Sequence, residues 1–98
     1  MRLFKKRLEE SIMANKGFLH KRLYTCLGEV ISIRRRWLRM SQTELADESG
    51  VDRAFISNLE NGKRNPSFGT VARIAQGLKT SLGRLVTKCE DCCKRKSA

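Results

Sequence analysis

Arg53, Ala54, Ser57 and Asn58 are the residues of this chain whose chemistry best suits reading the edges of nucleic-acid bases. Arginine presents a fork of donors that matches the O6 and N7 acceptors of guanine. Asparagine can pair bidentately with adenine, and alanine can touch the methyl group of thymine. The four positions share one side of a helix. The alternative for Arg53 is a phosphate contact or a surface ion pair, because backbone contacts outnumber base contacts. Gln42 opens the preceding predicted helix, where unpaired amides and the helix dipole favour an anion.

Two short helices joined by a tight turn must position these side chains. Ser41 is an N-cap, and Glu44 completes a capping box for a helix over 41–49. Leu45 and Ala46 carry that helix towards a core, and Gly50 supplies a left-handed stop. Asp52 caps a second helix over 53–61. Ile56 and Leu59 are its buried stripe and Gly62 ends it. Phe55 is expected as a half-buried aromatic that seats this helix rather than a base contact.

The surrounding chain reads as further helices. Residues 23–38 place Leu27, Ile31 and Leu38 on one face. Arg34 interrupts that stripe, so its stem is expected to snorkel and its guanidinium to reach water or a carboxylate. Val30, Ile33 and Trp37 form a second apolar face. Asn65-Pro66 marks a turn. Ser67 caps a helix over 68–78 with Val71, Ile74, Ala75 and Leu78 inward, and Ser81 caps a last short one with Leu82, Leu85 and Val86. Upstream, residues 2–14 fit an amphipathic helix through Leu3, Phe4, Leu8 and Ile12, broken over Asn15–Gly17.

The ordered set Gln42, Leu45, Ala46, Gly50, Val51, Ile56, Ser57, Glu60 and Gly62, followed by Lys63-Arg64-Asn65-Pro66-Ser67, resembles the phage repressor/Cro (XRE-type) helix-turn-helix family. The likeness covers roughly residues 27–86. It implies an all-α fold: a compact five-helix repressor-like DNA-binding domain over 23–87. A basic helical extension (1–22, the extra amphipathic helix) would precede it, and a basic cysteine-containing tail (88–98) would follow. It implies that Arg53, Ala54, Ser57 and Asn58 read bases while helix 53–61 lies in the major groove. Gln42, Asn61, Lys63 and Arg64 would then hold phosphates, with Gln42 also bracing the recognition helix. Arg35 matches a family position whose arginine pairs with an acidic residue, here Glu60. Arg39 and Lys79 depart from the pattern, standing where many relatives have a helix-ending glycine. The partner implied is double-stranded DNA with a two-fold operator, bound by a homodimer. The family resemblance puts the dimer contact at the C-terminal apolar set, and the N-terminal helix would cover the Trp37 face. The implied role is a transcriptional regulator, a repressor or autoregulator. The D-R-x-[FY]-I-S recognition helix also resembles restriction–modification controller proteins, and antitoxin-type autorepressors share the layout.

Composition agrees with a polyanion partner. The chain carries 21 Lys+Arg against 10 Asp+Glu, a net charge of +11. The excess is +5 over residues 1–24, +4 over 25–87 and +2 over 88–98, so both ends are basic. No apolar run is long enough to span a membrane, and a cytoplasmic, nucleoid-associated protein with reduced thiols is expected. With a single histidine, His20, no catalytic constellation is expected, nor any cofactor.

Cys89, Cys92 and Cys93 form C-x-x-C-C, half of a zinc site at most. The missing ligands would have to come from Cys26, His20 or another subunit. No metal is assigned, and residues 88–98 are expected to fray as a reduced tail that folding does not need. Cys26 is expected to pack as a small hydrophobe. Two other function classes stay open: a thiol- or zinc-responsive sensor with a DNA-binding output, and an adaptor that uses the motif for protein contacts.

Overall fold

The computed structural model describes residues 16–97. Among them are five helices and no strand: α1 (Lys16–Trp37), α2 (Gln42–Ser49), α3 (Arg53–Glu60), α4 (Phe68–Gly77) and α5 (Leu82–Ser97). The expected amphipathic helix over 2–14 lies outside the described residues.

Local sequence sets most of the boundaries. Ser41 accepts from the Glu44 amide at 3.0 Å, and Glu44 accepts from the Ser41 amide at 3.4 Å, closing the capping box of α2. The caps of α3, α4 and α5 follow the same pattern. Phe55 N donates to Asp52 at 3.3 Å, Thr70 N to Ser67 at 3.1 Å and Arg84 N to Ser81 at 3.1 Å. Each satisfies an orphan amide of a first helical turn.

Three helices end on one hydrogen-bond pattern. After α3, Gly62 N bonds to Leu59 O and Lys63 N to Asn58 O. After α1, Arg39 and Met40 repeat it on Arg36 and Arg35, and after α4, Lys79 and Thr80 repeat it on Gln76 and Ala75. This motif places its central residue in the left-handed region. Gly62 sits there at φ 72°, but Arg39 and Lys79 are both forced to φ 57°. The two departures from the family glycine therefore keep the turn geometry and carry its strain.

The core joins Leu27 and Ile31 of α1, Leu45, Ile56 and Leu59 of the motif, Val71, Ile74, Ala75 and Leu78 around α4, and Leu85 of α5. The first helix packs on α3 and α5, while α2 packs on α3 and α4. A Cβ at Gly28 would collide with the carbonyl oxygen of Leu59, so only glycine lets the end of α3 sit against α1.

Four expectations change. The first helix begins by Lys16, not near 23, and Gly17 lies inside it, so no element boundary falls at 22/23. The Arg34 guanidinium is met by backbone carbonyls rather than a carboxylate: it donates to Leu78 O at 3.0 Å and Lys79 O at 3.1 Å, capping the end of α4. The C-terminal segment is no frayed tail, because α5 runs to Ser97 and buries Cys89 and Cys92. Its stripe Leu85, Cys89, Cys92 recurs at helical spacing, and thiols take the place of larger apolar side chains. Finally Leu85, expected on a terminal apolar surface, is only 2% exposed and belongs to the core.

Candidate nucleic-acid interface

The side chains of Arg53 and Ala54 stand exposed on the first turn of α3. Ser57 and Asn58, one turn on, are half-buried, while Asn61, Lys63 and Arg64 are exposed where the helix ends. The buried stripe Ile56 and Leu59 holds the opposite side of α3 on the core. One short helix thus presents an arginine and small or polar groups at its N-terminal end and two cations beyond its C-terminal end.

What fixes this helix is ionic. Arg35 donates from Nε to Glu60 Oε2 at 2.7 Å and from Nη2 to Glu60 Oε1 at 2.9 Å. Its third contact, Nη1 to the Met40 carbonyl at 2.8 Å, ties the same guanidinium to the turn before α2. The carboxylate beside it pushes the Arg35 pKa further up, so the guanidinium stays charged. Gln42 donates to Glu60 Oε1 at 3.2 Å. One carboxylate at the end of α3 therefore ties α3 to α1 and to the start of α2. The Arg35–Glu60 pairing was legible through the family resemblance. So was a bracing role for Gln42, but not that Glu60 is the residue it grips.

Phe55 is half-buried, as expected, and the Arg64 guanidinium lies 5.5 Å above its ring. That contact orients Arg64 against the helix that precedes it. The close approach at Gly28 was missed, although a glycine inside an otherwise helical stretch is its usual signal.

Among the described residues, no group of three or more His, Cys, Asp or Glu side chains is arranged to hold a metal ion. No helix among them is long and apolar enough to cross a membrane.

A capped helix, a tight glycine turn and a second helix with one apolar and one polar side define a helix-turn-helix protein of the DNA-binding regulator class. The chain belongs to the helix-turn-helix family, whose sequence profile matches residues 31–85. It is 41% identical over 49 residues to the ImmF control region 10 kDa protein of Bacillus phage phi105, a match covering 50% of this chain and about half (54%) of that protein. It is 34% identical over 62 residues to control protein C.SmaI of Serratia marcescens, covering 63% of this chain and 74% of the relative. Among solved structures it resembles the restriction-modification controller protein C.Esp1396I, crystallised as a tetramer with its natural 35 base-pair operator. That likeness has a TM-score of 0.68 at 28% identity and covers 72% of this chain and 93% of the other.

Proposed function

We propose that this protein regulates transcription by placing α3 in the major groove of a two-fold symmetric operator as a homodimer, acting as a repressor or autoregulator. Arg53, Ala54, Ser57 and Asn58 read bases; Gln42, Asn61, Lys63 and Arg64 hold phosphates. The observation that carries the reading is the exposed N-terminal turn of α3, braced by Glu60 through Arg35 and Gln42. A recognition helix must be held rigidly for a bidentate contact to discriminate bases. Similarity to two control proteins, and to a controller solved on its operator, supports DNA as the partner and assembly beyond one chain. A single helix reads few base pairs, so pairing two copies supplies the needed selectivity. The action proposed is binding without catalysis, in the cytoplasm at the nucleoid.

Selection of bound sites from a random duplex pool by the full chain tests this. An inverted repeat with half-sites about 34 Å apart, one helical turn, is expected. Recovery of sequences without common elements, with unselected duplex bound equally well, would refute it.

A further inference from the structure

All four cysteines of the chain meet at one seam. Cys89, Cys92 and Cys93 lie at i, i+3 and i+4 on α5, a spacing that puts them on one helix face. Cys26 of α1 faces them, fully buried at 0% exposure, with Cys92 at 3% and Cys89 at 6%. The α5 thiols lie along the stretch of α1 that carries Cys26, and the four cysteines belong to, or pack against, one buried cluster. None is in a disulfide. Outside the cluster, Cys92 donates to the Glu29 carboxylate at 3.2 Å, Cys89 to the Leu23 carbonyl at 3.7 Å and Cys93 to the Arg22 carbonyl at 3.9 Å. Thiols packed together in this way have thiol–disulfide chemistry open to them.

We propose that Cys26 and Cys93 are a redox-active pair that closes to a disulfide between α1 and α5 when the protein meets a peroxide. Cys93 is the half-buried member of the cluster, so it is the thiol an oxidant reaches. Burial pushes its pKa up, and the neighbouring Cys26 thiol offsets only part of that rise. Cys89 and Cys92 are pushed by burial to about 11 and about 12 and stay protonated as spectators. The Cys93 thiolate attacks a peroxide oxygen; the O–O bond breaks and the leaving hydroxide takes up the thiol proton as water, leaving a sulfenic acid. Cys26 then attacks that sulfur, the S–O bond breaks, the S–S bond forms and a second water leaves. Two thiols lose two electrons and two hydrogens, and one peroxide becomes two waters.

The test uses the full reduced chain treated with hydrogen peroxide, alkylated, and digested with trypsin without reduction. The tryptic peptide 23–34, which holds Cys26, should be recovered joined to peptide 89–94. Cys93→Ser should abolish the linkage, while Cys89→Ser and Cys92→Ser should keep it. Higher oxides of Cys93 without a linkage, or a linkage that survives Cys93→Ser, would overturn the proposal. Should a serine variant lose its helical circular dichroism, alkylation of the native wild type decides. Cys93 should label roughly ten-fold or more faster than Cys26, as access dictates; equal rates would refute the assignment. The readout involves no DNA, so its failure would leave the operator-binding reading untouched.

Discussion

Arg35 holds Glu60 through two parallel hydrogen bonds of 2.7 and 2.9 Å, across the gap between α1 and the end of the recognition helix. The side chains are 14% and 7% exposed, so water screens the pair little. Glu60→Ala leaves the guanidinium buried without its carboxylate and frees the Gln42 amide as well. Breaking such a buried pair from one side costs about 3–5 kcal/mol. Urea unfolding should show the loss in the midpoint with an unchanged slope. A cost under about 1 kcal/mol would mean the Met40 carbonyl and water satisfy Arg35 alone.

DNA binding should separate the two classes of residue on and after α3. Arg53→Ala is expected to cost about 1–3 kcal/mol on the selected operator and to relax preference at one base pair. Lys63→Ala should weaken all sequences alike and lower the salt slope by about one. Competition binding at several salt concentrations measures both. If Arg53→Ala weakened operator and random duplex equally, Arg53 would be a phosphate contact.

Much of this architecture is legible in the sequence because it is local. Ser41, Asp52, Ser67 and Ser81 mark helix starts through side-chain bonds to amides three residues on, and Ile56 with Leu59 shows the period of α3. The base- and phosphate-contacting assignments rest on placement and resemblance, and remain proposals. The length of α5 was not legible. Its stripe beyond Leu85 is made of cysteines interleaved with Glu90, Asp91 and Lys94, so the segment reads as polar. Only Cys26, far upstream, reveals why those thiols are inside. The partners of Arg34 are hidden for the same reason: they are carbonyls at the end of α4, which no local pattern announces.

Lys79 is strained at φ 57° in a turn that Gly62 adopts freely. A left-handed residue with a Cβ costs about 1–2 kcal/mol, partly offset by the greater unfolded-state freedom of glycine. Lys79→Gly should therefore stabilise the protein by about 0.5–1 kcal/mol, read as a raised melting temperature. The backbone carbonyl that receives Arg34 is retained in this variant. A lower melting temperature would show that the lysine side chain contributes more than its backbone strain costs.

The cysteine seam makes stability fall in alkali. An unperturbed thiol titrates at 9.0, whereas in the fold burial moves Cys89 to about 11 and Cys92 to about 12. The folded state thus holds these protons more tightly than the unfolded chain. Their contribution is complete below about pH 9 and is lost as pH rises through the folded values. Under reductant, the urea midpoint of the wild type should fall as pH rises from about 9 towards about 12. Cys92→Ala should flatten that fall while lowering the midpoint at neutral pH, because it empties a buried site. An equally steep alkaline fall in the variant would assign it to other groups.

Assembly can be probed at Ile33 but not at Leu85. Leu85→Lys would bury a charge in the core and report on folding alone. Ile33 and Trp37 are 56% and 70% exposed and line an open trough between α1 and α5. The Arg34 guanidinium lies 4.9 Å above the Trp37 ring, holding it beside that trough. Exposed apolar side chains grouped in this way suit a self-complementary contact. Ile33→Glu sits on the solvent side of α1, so helix content should be unchanged. Sedimentation at micromolar concentration should then show the wild type as a dimer and the variant as a monomer. On DNA, the variant should lose most of its preference for two half-sites over one, because each copy would bind alone. A dimer that survives Ile33→Glu would exclude this trough and move the contact to the exposed side of α5, where Val86 stands 38% exposed.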